Sequence, residues 1–490
     1  MRVAASPSGP PQDVAASPAH GGAVWYLAST AVGLAIPLLT LPVITRALQP
    51  EEYGAWVLAY AYGVLVSALS NFGMSVIYER SFFEAREAGE NASLLWTTVA
   101  LVSALLAIAL LATWVWRETL SGWVMHSSGH TALLFWTACA VGVANLKTYF
   151  LMYLRNRGEA RRFALFSIDE MVLGAVASVL LVAWWQVGPL GLAWGPLAAS
   201  LIVLALLTLH FLRRVPVRFA ASQLKASLRL GFPLLPRVFL AIFGQIFDKW
   251  LVGLVAAAGG VAAYAIGQRL AFVVFAVANS LENVFQPRTY RFMFDGGAAA
   301  GREIGRMLTP FAYATVGVAV VVGLGAEEAI WLLAPQSYAG AAAVTNVLVM
   351  YFAFTFFGKQ PQLLYAKRIG LVSVLSSLSV LLNAAAMWFF ATRYGVVGAA
   401  IGTVIAGMLT TSLFVSVSQR HYRIEYERRK LLLIYAYFVC GLAATCLLQA
   451  TELAYPLRVV VKVAILAGYG WIGAVFGWWA ILLRHARRVE

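Results

Sequence analysis

The sequence has little charge for its length. Only 12% of its 490 residues are Asp, Glu, Lys or Arg, whereas soluble proteins average about 25%. Hydrophobic residues make up 61%, and the mean hydropathy is +0.79. A water-soluble chain of this size cannot bury so much apolar surface, so the composition excludes a soluble enzyme. It predicts a protein whose main solvent is lipid.

Cysteine and nucleotide-binding motifs are also scarce. The three cysteines, Cys139, Cys440 and Cys446, lie in apolar runs and have neither disulfide nor metal-site spacing. No GxxxxGK[ST] motif occurs, so an ATP-driven pump would need a separate subunit. The longest predicted outer loop, about 116–130, is too short for a catalytic domain. These absences predict a protein that is not an enzyme and has no metal or cofactor.

Long apolar runs dominate the rest of the chain. A helix needs ~20 apolar residues to cross a bilayer, and about fourteen such runs occur. The polar, Ala/Ser/Pro-rich segment 1–21 lacks the apolar core of a signal peptide and predicts a disordered cytoplasmic tail. The predicted runs are 22–45, 53–77, 93–115, 131–154, 163–186, 188–212, 229–255, 260–286, 307–330, 339–362, 369–391, 394–418, 431–450 and 457–483.

Acidic residues are few relative to basic ones, and the basic residues are unevenly placed. The chain has 36 Lys and Arg against 21 Asp and Glu, a net charge of +15. With the N-terminus inside, 26 of the cations fall in inner segments and four in outer segments. Cytoplasmic loops attract such an excess. The charge therefore predicts topology rather than nucleic-acid binding, and it places both termini in the cytoplasm.

The two halves of the chain resemble each other at several positions. Gly188–Gly195 opens the sixth run and Gly395–Gly402 opens the twelfth, with three glycines offset by 207 residues. Tyr53 and Tyr264, near the starts of the second and eighth runs, are offset by 211. Glycines at this spacing also occur where helices simply pack closely. Their agreement favours two parallel six-helix repeats, which suit a transporter with its path between two bundles.

The repeat predicts a division of the chain into two lobes with additions. Each lobe has six helices, and two further helices follow the second lobe. The predicted segments are a tail at 1–21, an N-lobe at 22–212, a cytoplasmic linker at 213–228, a C-lobe at 229–418, a basic loop at 419–430, helices 13 and 14 at 431–483 and a cytoplasmic tail at 484–490.

Four sequence features resemble one transporter family. The segment 41–54 (LPVITRALQPEEYG) is similar to the first outer turn of the polysaccharide transporter family, and 247–253 (FDKWLVG) is similar to the Asp-Arg/Lys signature of its seventh helix. The segment 337–341 (SYAGA) resembles the turn before its tenth helix, and the paired Gly-x-x-Gly starts fit too. The resemblance covers roughly residues 22–483. The family belongs to the superfamily that contains the lipid II flippase and the multidrug exporters.

The resemblance implies a fold, an activity and partners. The expected fold is an all-α membrane protein whose two lobes form a V-shaped, alternating-access bundle. The expected activity is flipping of a polyprenyl-diphosphate-linked oligosaccharide to the outer leaflet of a bacterial inner membrane, for cell-surface polysaccharide biosynthesis. The expected partners are this substrate, membrane lipids, and polysaccharide polymerase and export machinery. A proton or sodium gradient is the expected energy source.

Charges inside the apolar runs are the candidate functional residues. An ionisable group in hydrocarbon costs at least ~2.5–3.5 kcal/mol, so it normally faces a cavity or a partner. Lys147 in the fourth run and Asp169 and Glu170 in the fifth lie at matching depths. This placement predicts either a structural ion pair across a helical hairpin or a functional role, as the polar wall of a cavity or as a proton site.

The seventh and eighth runs carry a second group of charges. Arg237 and Asp248 are eleven residues apart and share one helix face, ~16 Å apart in height. Lys249 follows Asp248, while Arg269 and Glu282 lie on different faces of the eighth run. The two neighbouring runs suggest Asp248 and Arg269 as a neutralising pair.

These charges lead to a hypothesis about binding. Arginine holds phosphate oxygens in a bidentate geometry, so we expect Arg237 and Arg269 to bind the diphosphate. Lys147 and Lys359 are weaker candidates, and Lys359 lies near a run edge, where it can snorkel. The groups expected to serve ion or proton coupling, or charge pairing, are Asp248, Lys249, Asp169, Glu170 and Glu282.

Two other functions remain open from the sequence. A multidrug exporter would be expected to have a carboxylate-centred cation site, whereas the interior here is richer in cations. A polytopic glycosyltransferase or polymerase is the other alternative, with Glu51 and Glu52 as its outer acids. Such an enzyme usually needs a larger outer domain, and these acids also fit the charged start of a helix.

Overall fold

The structure is a computed structural model that describes residues 20–84, 88–220, 235–357, 361–450 and 454–478. These residues are overwhelmingly helical and contain no β-strand. Twelve stretches among them are long and apolar enough to cross a membrane. The predicted class, an all-α membrane protein with many crossings, is therefore confirmed. Most of the predicted tails, 1–21 and 484–490, lies outside the described residues.

The helices follow the apolar runs, with shorter helices between some of them. The first half of the chain forms α1 (His20–Ala47), α2 (Pro50–Asn71), α3 (Met74–Glu84), α4 (Ala88–Val115), α5 (Arg117–Met125), α6 (Thr131–Asn156), α7 (Ala160–Val179, extended by a π turn over Leu180–Trp184) and α8 (Gly191–Leu212). The second half forms α9 (Leu235–Gly296), α10 (Gly301–Leu324), α11 (Ala326–Leu333), α12 (Gly340–Phe354), α13 (Pro361–Tyr365), α14 (Ile369–Gln419), α15 (Arg428–Ala450) and α16 (Tyr455–Val475).

The start of α2 shows how local sequence sets a helix boundary. Pro50 occupies the first helical position, where its missing N–H costs nothing. Glu51 and Glu52 follow in the first turn, where the helix dipole favours negative charge. The Gln49 backbone N–H donates to Glu52 Oε2 at 2.9 Å. The two outer acids that a polymerase would need therefore lie in a helix start, and one of them caps it.

Two of the twelve stretches are longer than one crossing requires. Ile246–Asn283 has 38 residues and Gly370–Gln419 has 50, whereas one crossing needs ~20. Each contains a backbone break, at Ala256 and Ala257 in α9 and at Gly395 in α14. Divided at these breaks, the stretches correspond to the predicted seventh, eighth, eleventh and twelfth runs. The number of fourteen crossings and the repeat stay predictions.

Chain contacts divide the molecule into two compact units. Unit 1 contains Met1–Ala47, Tyr62–Ser121 and Ser128–Phe239, and unit 2 contains Leu48–Ala61, Gly122–Ser127 and Leu240–Glu490. The α1–α2 turn thus groups with the second half of the chain, although both helices continue in unit 1. The predicted lobe boundaries stay a prediction, and residues 221–234, which include part of the predicted linker 213–228, lie outside the described residues.

Unit 1 is built around aromatic side chains of α6 and α8. Phe211 lies between Phe150 and Tyr153, with ring centroids 5.1 and 5.2 Å away. Helices α7 and α8 approach closely at Gly174, where an added Cβ would lie 3.4 Å from the Pro196 backbone. Small residues permit such close packing where lipid supplies no hydrophobic drive between helices.

Tyrosine hydroxyls join the last helix, α16, to α10 in unit 2. Tyr313 in α10 donates to the Tyr469 carbonyl at 2.9 Å, and Tyr469 in α16 donates to the Tyr313 carbonyl at 2.7 Å. The two rings stack with centroids 4.7 Å apart. Lys462, which lies near a span edge, contacts Glu327 at 3.0 Å and Glu328 at 2.6 Å instead of only extending to the membrane surface. Helix α16 is therefore held against both α10 and α11 by polar contacts.

Ion pairs between loop regions agree with the predicted alternation of sides. Arg155 pairs with Glu79 at 2.7 Å, and both lie in segments assigned to the inner side. Arg458, assigned to the outer side, pairs at 3.0 Å with Glu327, which lies near the predicted outer end of the run 307–330. These contacts support the grouping of the segments by side, while the cytoplasmic location of the termini stays a prediction.

Candidate functional site

A buried charge cluster joins three helices of unit 1. Lys147 of α6 is only 8% exposed, and it forms an ion pair with Glu170 of α7. Ser200 of α8 donates its hydroxyl to Glu170 Oε1 at 2.6 Å. Asp169, the other acid considered from the sequence, is exposed and outside this pair. The cluster neutralises the buried lysine and links α6, α7 and α8 at one depth.

Further polar groups on α6 lie near this cluster in sequence and bond to α2. Asn145 donates its side-chain N–H to the Ser67 carbonyl at 3.3 Å. The Tyr149 hydroxyl donates to Asn71 Oδ1 at 2.5 Å. Neither asparagine stands out in a search for charges, because uncharged polar residues interrupt an apolar run only weakly. Together with the ion pair, they give α6 polar contacts to α2, α7 and α8.

A second buried carboxylate lies in unit 2. Asp248 of α9 is 6% exposed, and Lys249 Nζ lies 2.9 and 3.0 Å from its two carboxylate oxygens. Gln268, beyond the break in the same element, donates to Asp248 Oδ2 at 2.7 Å. The Tyr264 and Tyr351 side chains also lie within electrostatic range of the carboxylate.

The suggested pairing of Asp248 with Arg269 is not among the hydrogen bonds and ion pairs of the described residues. The structure gives the carboxylate Lys249 and Gln268 as its partners, and it records no contact between Asp248 and Arg269. Adjacent residues of an α-helix point about 100° apart. Gln268 therefore faces Asp248, while Arg269 turns away.

Arg269 lies well inside one of unit 2's candidate membrane-crossing stretches, Ile246–Asn283. Its side chain is half-buried, and the structure gives it no hydrogen bond or ion pair with another described residue. An arginine within a crossing helix normally faces water, a partner or a ligand. Of the other predicted phosphate ligands, Arg237 lies in α9 with its side chain outside the described part, and Lys359 lies outside the described residues altogether.

A cavity of about 200 Å³ lies within unit 2. One face of α9 contributes Asn279 and Glu282, and α12 contributes Tyr351. Helix α14 contributes Ser379 and Thr410, and phenylalanine rings complete the lining. Hydroxyl, amide and carboxylate groups on aromatic walls are suited to orient a polar ligand by hydrogen bonds while its apolar faces contact the rings.

The structure thus gathers the predicted residues into separate centres. Lys147 and Glu170 form one, Asp248 and Lys249 form another, and Glu282 lines the cavity. Among the described residues, no group of three or more His, Cys, Asp or Glu side chains is placed to hold a metal ion.

Comparisons with known proteins identify a family and several similar folds. A family model described as "Polysaccharide biosynthesis protein" matches residues 43–343. Among solved structures, "Lipid II flippase MurJ, inward closed conformation" is 12% identical in sequence and has a TM-score of 0.68. The match covers 94% of this chain and 99% of the flippase chain. An inward-facing "multidrug resistance MATE family transporter of the MOP superfamily" is 16% identical, covers 85% and 99%, and has a TM-score of 0.60. These likenesses concern the fold. No curated protein matches the chain.

Proposed function

Because the chain belongs to the family of polysaccharide biosynthesis proteins, we propose that it carries a lipid-linked oligosaccharide across the membrane. The family match agrees with the resemblance of segments 41–54, 247–253 and 337–341, and the fold is that of a lipid II flippase. The proposed cargo is a polyprenyl-diphosphate-linked oligosaccharide, moved from the inner to the outer leaflet of a bacterial inner membrane. Both termini would then be cytoplasmic, and the protein would act as a carrier rather than an enzyme.

The observation that best supports an anionic cargo is Arg269, which is half-buried inside a candidate crossing stretch and has no hydrogen bond or ion pair with a described residue. A guanidinium in a crossing helix is stabilised when it binds phosphate oxygens through paired N–H groups. Arg269 has no described partner that would compete with the diphosphate. Arg237 and Lys359 remain proposed second ligands. Lys147 is a weaker one, because it would first have to leave Glu170.

The Asp248 centre is the proposed coupling site. Its carboxylate is buried and bound by both Lys249 and Gln268, so a change in its protonation or ion occupancy would alter contacts on both sides of the α9 break. Glu282 is the second proposed coupling group, because it places a carboxylate on the cavity wall. Glu170 and the exposed Asp169 remain proposed for the same role in unit 1. A proton or sodium gradient would supply the energy.

A multidrug-type exporter is the second candidate function. The fold likeness to a multidrug transporter favours it, and so does Glu282 in a cavity with phenylalanine walls. Aromatic faces and a carboxylate attract organic cations. The two candidates therefore differ in the charge of the cargo: Arg269 suits an anion, and Glu282 suits a cation.

Deletion of the protein separates these candidates. We expect loss of one cell-surface polysaccharide and accumulation of its lipid-linked precursor on the inner leaflet, measured by lipid extraction and mass spectrometry. Restoring the wild-type gene should reverse both effects. Normal surface polysaccharide combined with increased sensitivity to cationic drugs would instead favour the exporter.

A further inference from the structure

The cavity of about 200 Å³ in unit 2, which we call the unit 2 cavity, is built on one face of α9. Its lining residues on α9 recur at intervals of three or four positions, a spacing that places their side chains on one side of a helix. These residues are Phe275, Ala278, Asn279, Glu282 and Phe285. Helix α12, the turn after it and α14 supply the remaining walls. All of the lining therefore belongs to one compact unit.

Helix α14 reaches the unit 2 cavity with both of its halves. The halves lie side by side, because a Cβ at Gly402 would come within 2.6 Å of Met387 Cα. Ser379 is sixteen residues before the break at Gly395 and Thr410 is fifteen residues after it, so both lie about 23 Å from the break. Each half therefore brings a hydroxyl to the cavity at the same depth.

Most of the polar groups in the unit 2 cavity carry no charge. Apart from Glu282, the polar lining consists of an amide, a phenol and four aliphatic hydroxyls. They belong to Asn279, Tyr351, Thr355, Ser379, Thr410 and Thr411. An organic cation is held by charge and by aromatic faces, so it would leave most of these groups unused. A neutral ligand with many hydroxyls uses several of them at once.

Three of these groups offer hydrogen-bond acceptors to the unit 2 cavity. The Thr355 hydroxyl donates to the Phe352 carbonyl at 3.0 Å. The Thr410 hydroxyl donates to the Gly407 carbonyl at 3.1 Å. Because each hydroxyl oxygen keeps its lone pairs, both can still accept, and an ionised Glu282 can only accept. The matching ligand therefore supplies several donors, as a ring of hydroxyl groups does.

The aromatic walls and the size of the unit 2 cavity complete the match to a sugar. Four phenylalanine rings line it, from Phe275, Phe285, Phe356 and Phe414. A sugar ring has apolar C–H faces and hydroxyls around its rim, so it can contact phenylalanine and acceptors together. The volume of about 200 Å³ lies below the roughly 300–1,000 Å³ of pockets for drug-sized molecules. This volume favours a single small ring.

A second, smaller cavity shows towards which side the unit 2 cavity extends. It measures about 20 Å³ and shares Glu282, Phe285 and Phe356 with the unit 2 cavity. Its other walls include Ile424 and Tyr426, which belong to the basic loop assigned to the inner side. The proposed cargo starts on that side, and a free cytoplasmic sugar would arrive from it.

We propose that the unit 2 cavity is a binding site for one sugar ring. The hydroxyls of the sugar donate to Glu282, Thr355 and Thr410, and one of its C–H faces lies against the phenylalanine rings. Where the sugar belongs to the lipid-linked cargo, this site rests on the proposed carrier function. A free sugar has the same chemistry, so experiment must separate the two sources.

Saturation-transfer NMR tests the site on the whole protein in phosphatidylcholine nanodiscs, which contain no sugar headgroup. The probes are the methyl glycosides of glucose, galactose, mannose, rhamnose and N-acetylglucosamine. We expect at least one to bind, with the strongest saturation on ring C–H protons that lie against the aromatic walls. Ala278→Leu fills the cavity without removing a polar group and should abolish this signal. Equal signals from the wild type and a folded Ala278→Leu protein for every probe would overturn the proposal.

Thr410→Val tests one expected hydrogen bond, and Thr403→Val is its matched control. Both threonines lie in the second half of α14 and donate to a backbone carbonyl at 3.1 Å, but only Thr410 lines the cavity. Valine keeps the branched shape of threonine. Thr410→Val should weaken glycoside binding roughly two- to tenfold, the range for one hydrogen bond, and Thr403→Val should leave it unchanged. Equal weakening by both would indicate an indirect effect on the helix and contradict the site.

Glu282→Gln separates a sugar site from a cation site. The glutamine amide still accepts a hydrogen bond but carries no charge. Glycoside binding should therefore fall by no more than about tenfold, whereas a cation site would lose its binding of tetraethylammonium. Tetraethylammonium binding that requires Glu282, in a protein that binds none of the glycosides, would overturn the sugar site.

Flipping assays in reconstituted vesicles separate the source of the sugar and the two proposals. If the sugar belongs to the cargo, Ala278→Leu should slow flipping of a lipid-linked oligosaccharide, and Thr403→Val should not. Glycoside binding combined with normal flipping by Ala278→Leu would assign the site to a free sugar. Glycoside binding by a protein that flips no lipid-linked oligosaccharide would support the site and make the proposed cargo wrong. Normal flipping without any glycoside binding would overturn the site alone.

Discussion

Glu170→Gln is expected to destabilise the folded protein by about 3–5 kcal/mol, the usual effect of removing one partner from a buried ion pair. Lys147 would then carry an uncompensated charge among α6, α7 and α8, because Glu170 is its ion-pair partner. The amide would still accept the Ser200 hydrogen bond, so the loss isolates the charge. The measurement is the midpoint of thermal unfolding of purified protein in detergent.

The double variant Lys147→Met/Glu170→Gln is the decisive control. Removing both charges should restore most of the lost stability, since a buried pair often contributes little relative to apolar residues of similar volume. A double variant no more stable than Glu170→Gln would contradict the pairing. The transport rate of the double variant then decides whether the ion pair is structural or belongs to the transport path. Normal transport assigns the pair to structure, whereas a stable but inactive protein assigns it to the transport path.

Arg269→Ala is expected to reduce oligosaccharide flipping about 10- to 100-fold while leaving membrane insertion normal. Hydrogen bonds to charged groups contribute about 1.5–3 kcal/mol, which corresponds to this range. Arg269→Lys should retain part of the activity, because a lysine keeps the charge but loses the bidentate geometry. The measurement is the initial rate of flipping in reconstituted vesicles.

Arg291→Ala provides the matched control for this loss. Arg291 lies on the same element, α9, but is exposed and beyond the membrane-crossing stretch. Its removal lowers the net charge by the same amount and should leave flipping unchanged. Unimpaired flipping by a normally inserted Arg269→Ala protein would remove Arg269 from the binding site.

The length of the apolar runs predicted the long helices well. Where a predicted run and the observed helix differ, the geometry of a turn explains the difference. The run 131–154 became the helix Thr131–Asn156. The run 53–77 instead stops at Asn71, because Phe72 and Gly73 adopt positive φ and a separate helix begins at Met74. Hydropathy averages over such a turn and does not detect it.

The breaks in the two longest helices both lie at predicted boundaries between apolar runs. The break at Gly395, a glycine with φ +61°, lies where the predicted run 394–418 begins. The break at Ala256 and Ala257 lies between the predicted runs 229–255 and 260–286, although alanine ordinarily favours helix. The apolar runs therefore predicted both boundaries, but not the close approach of α2 to α9 at Gly54 and Ala258.

The sequence predicted a candidate site where charged residues lie at matching depths in neighbouring apolar runs. Matching depths placed Lys147 opposite two acids, but only helix orientation selected Glu170 over Asp169. Gln268 and Ser200 were missed because uncharged polar residues are common in crossing helices, and their partners are set by packing. The contact between Tyr338 and Leu48 was missed for a related reason: the sequence segments on both sides of it were recognised separately, but their contact is a tertiary property.

The central claim is tested most directly by reconstitution with the proposed cargo. Purified protein is placed in vesicles whose inner leaflet contains a polyprenyl-diphosphate-linked oligosaccharide, and exposure of the glycan outside is followed with an impermeant glycan-cleaving enzyme. The account predicts rapid, gradient-dependent exposure that Arg269→Ala slows. Exposure no faster than in protein-free vesicles, while the same protein exports an organic cation, would contradict it.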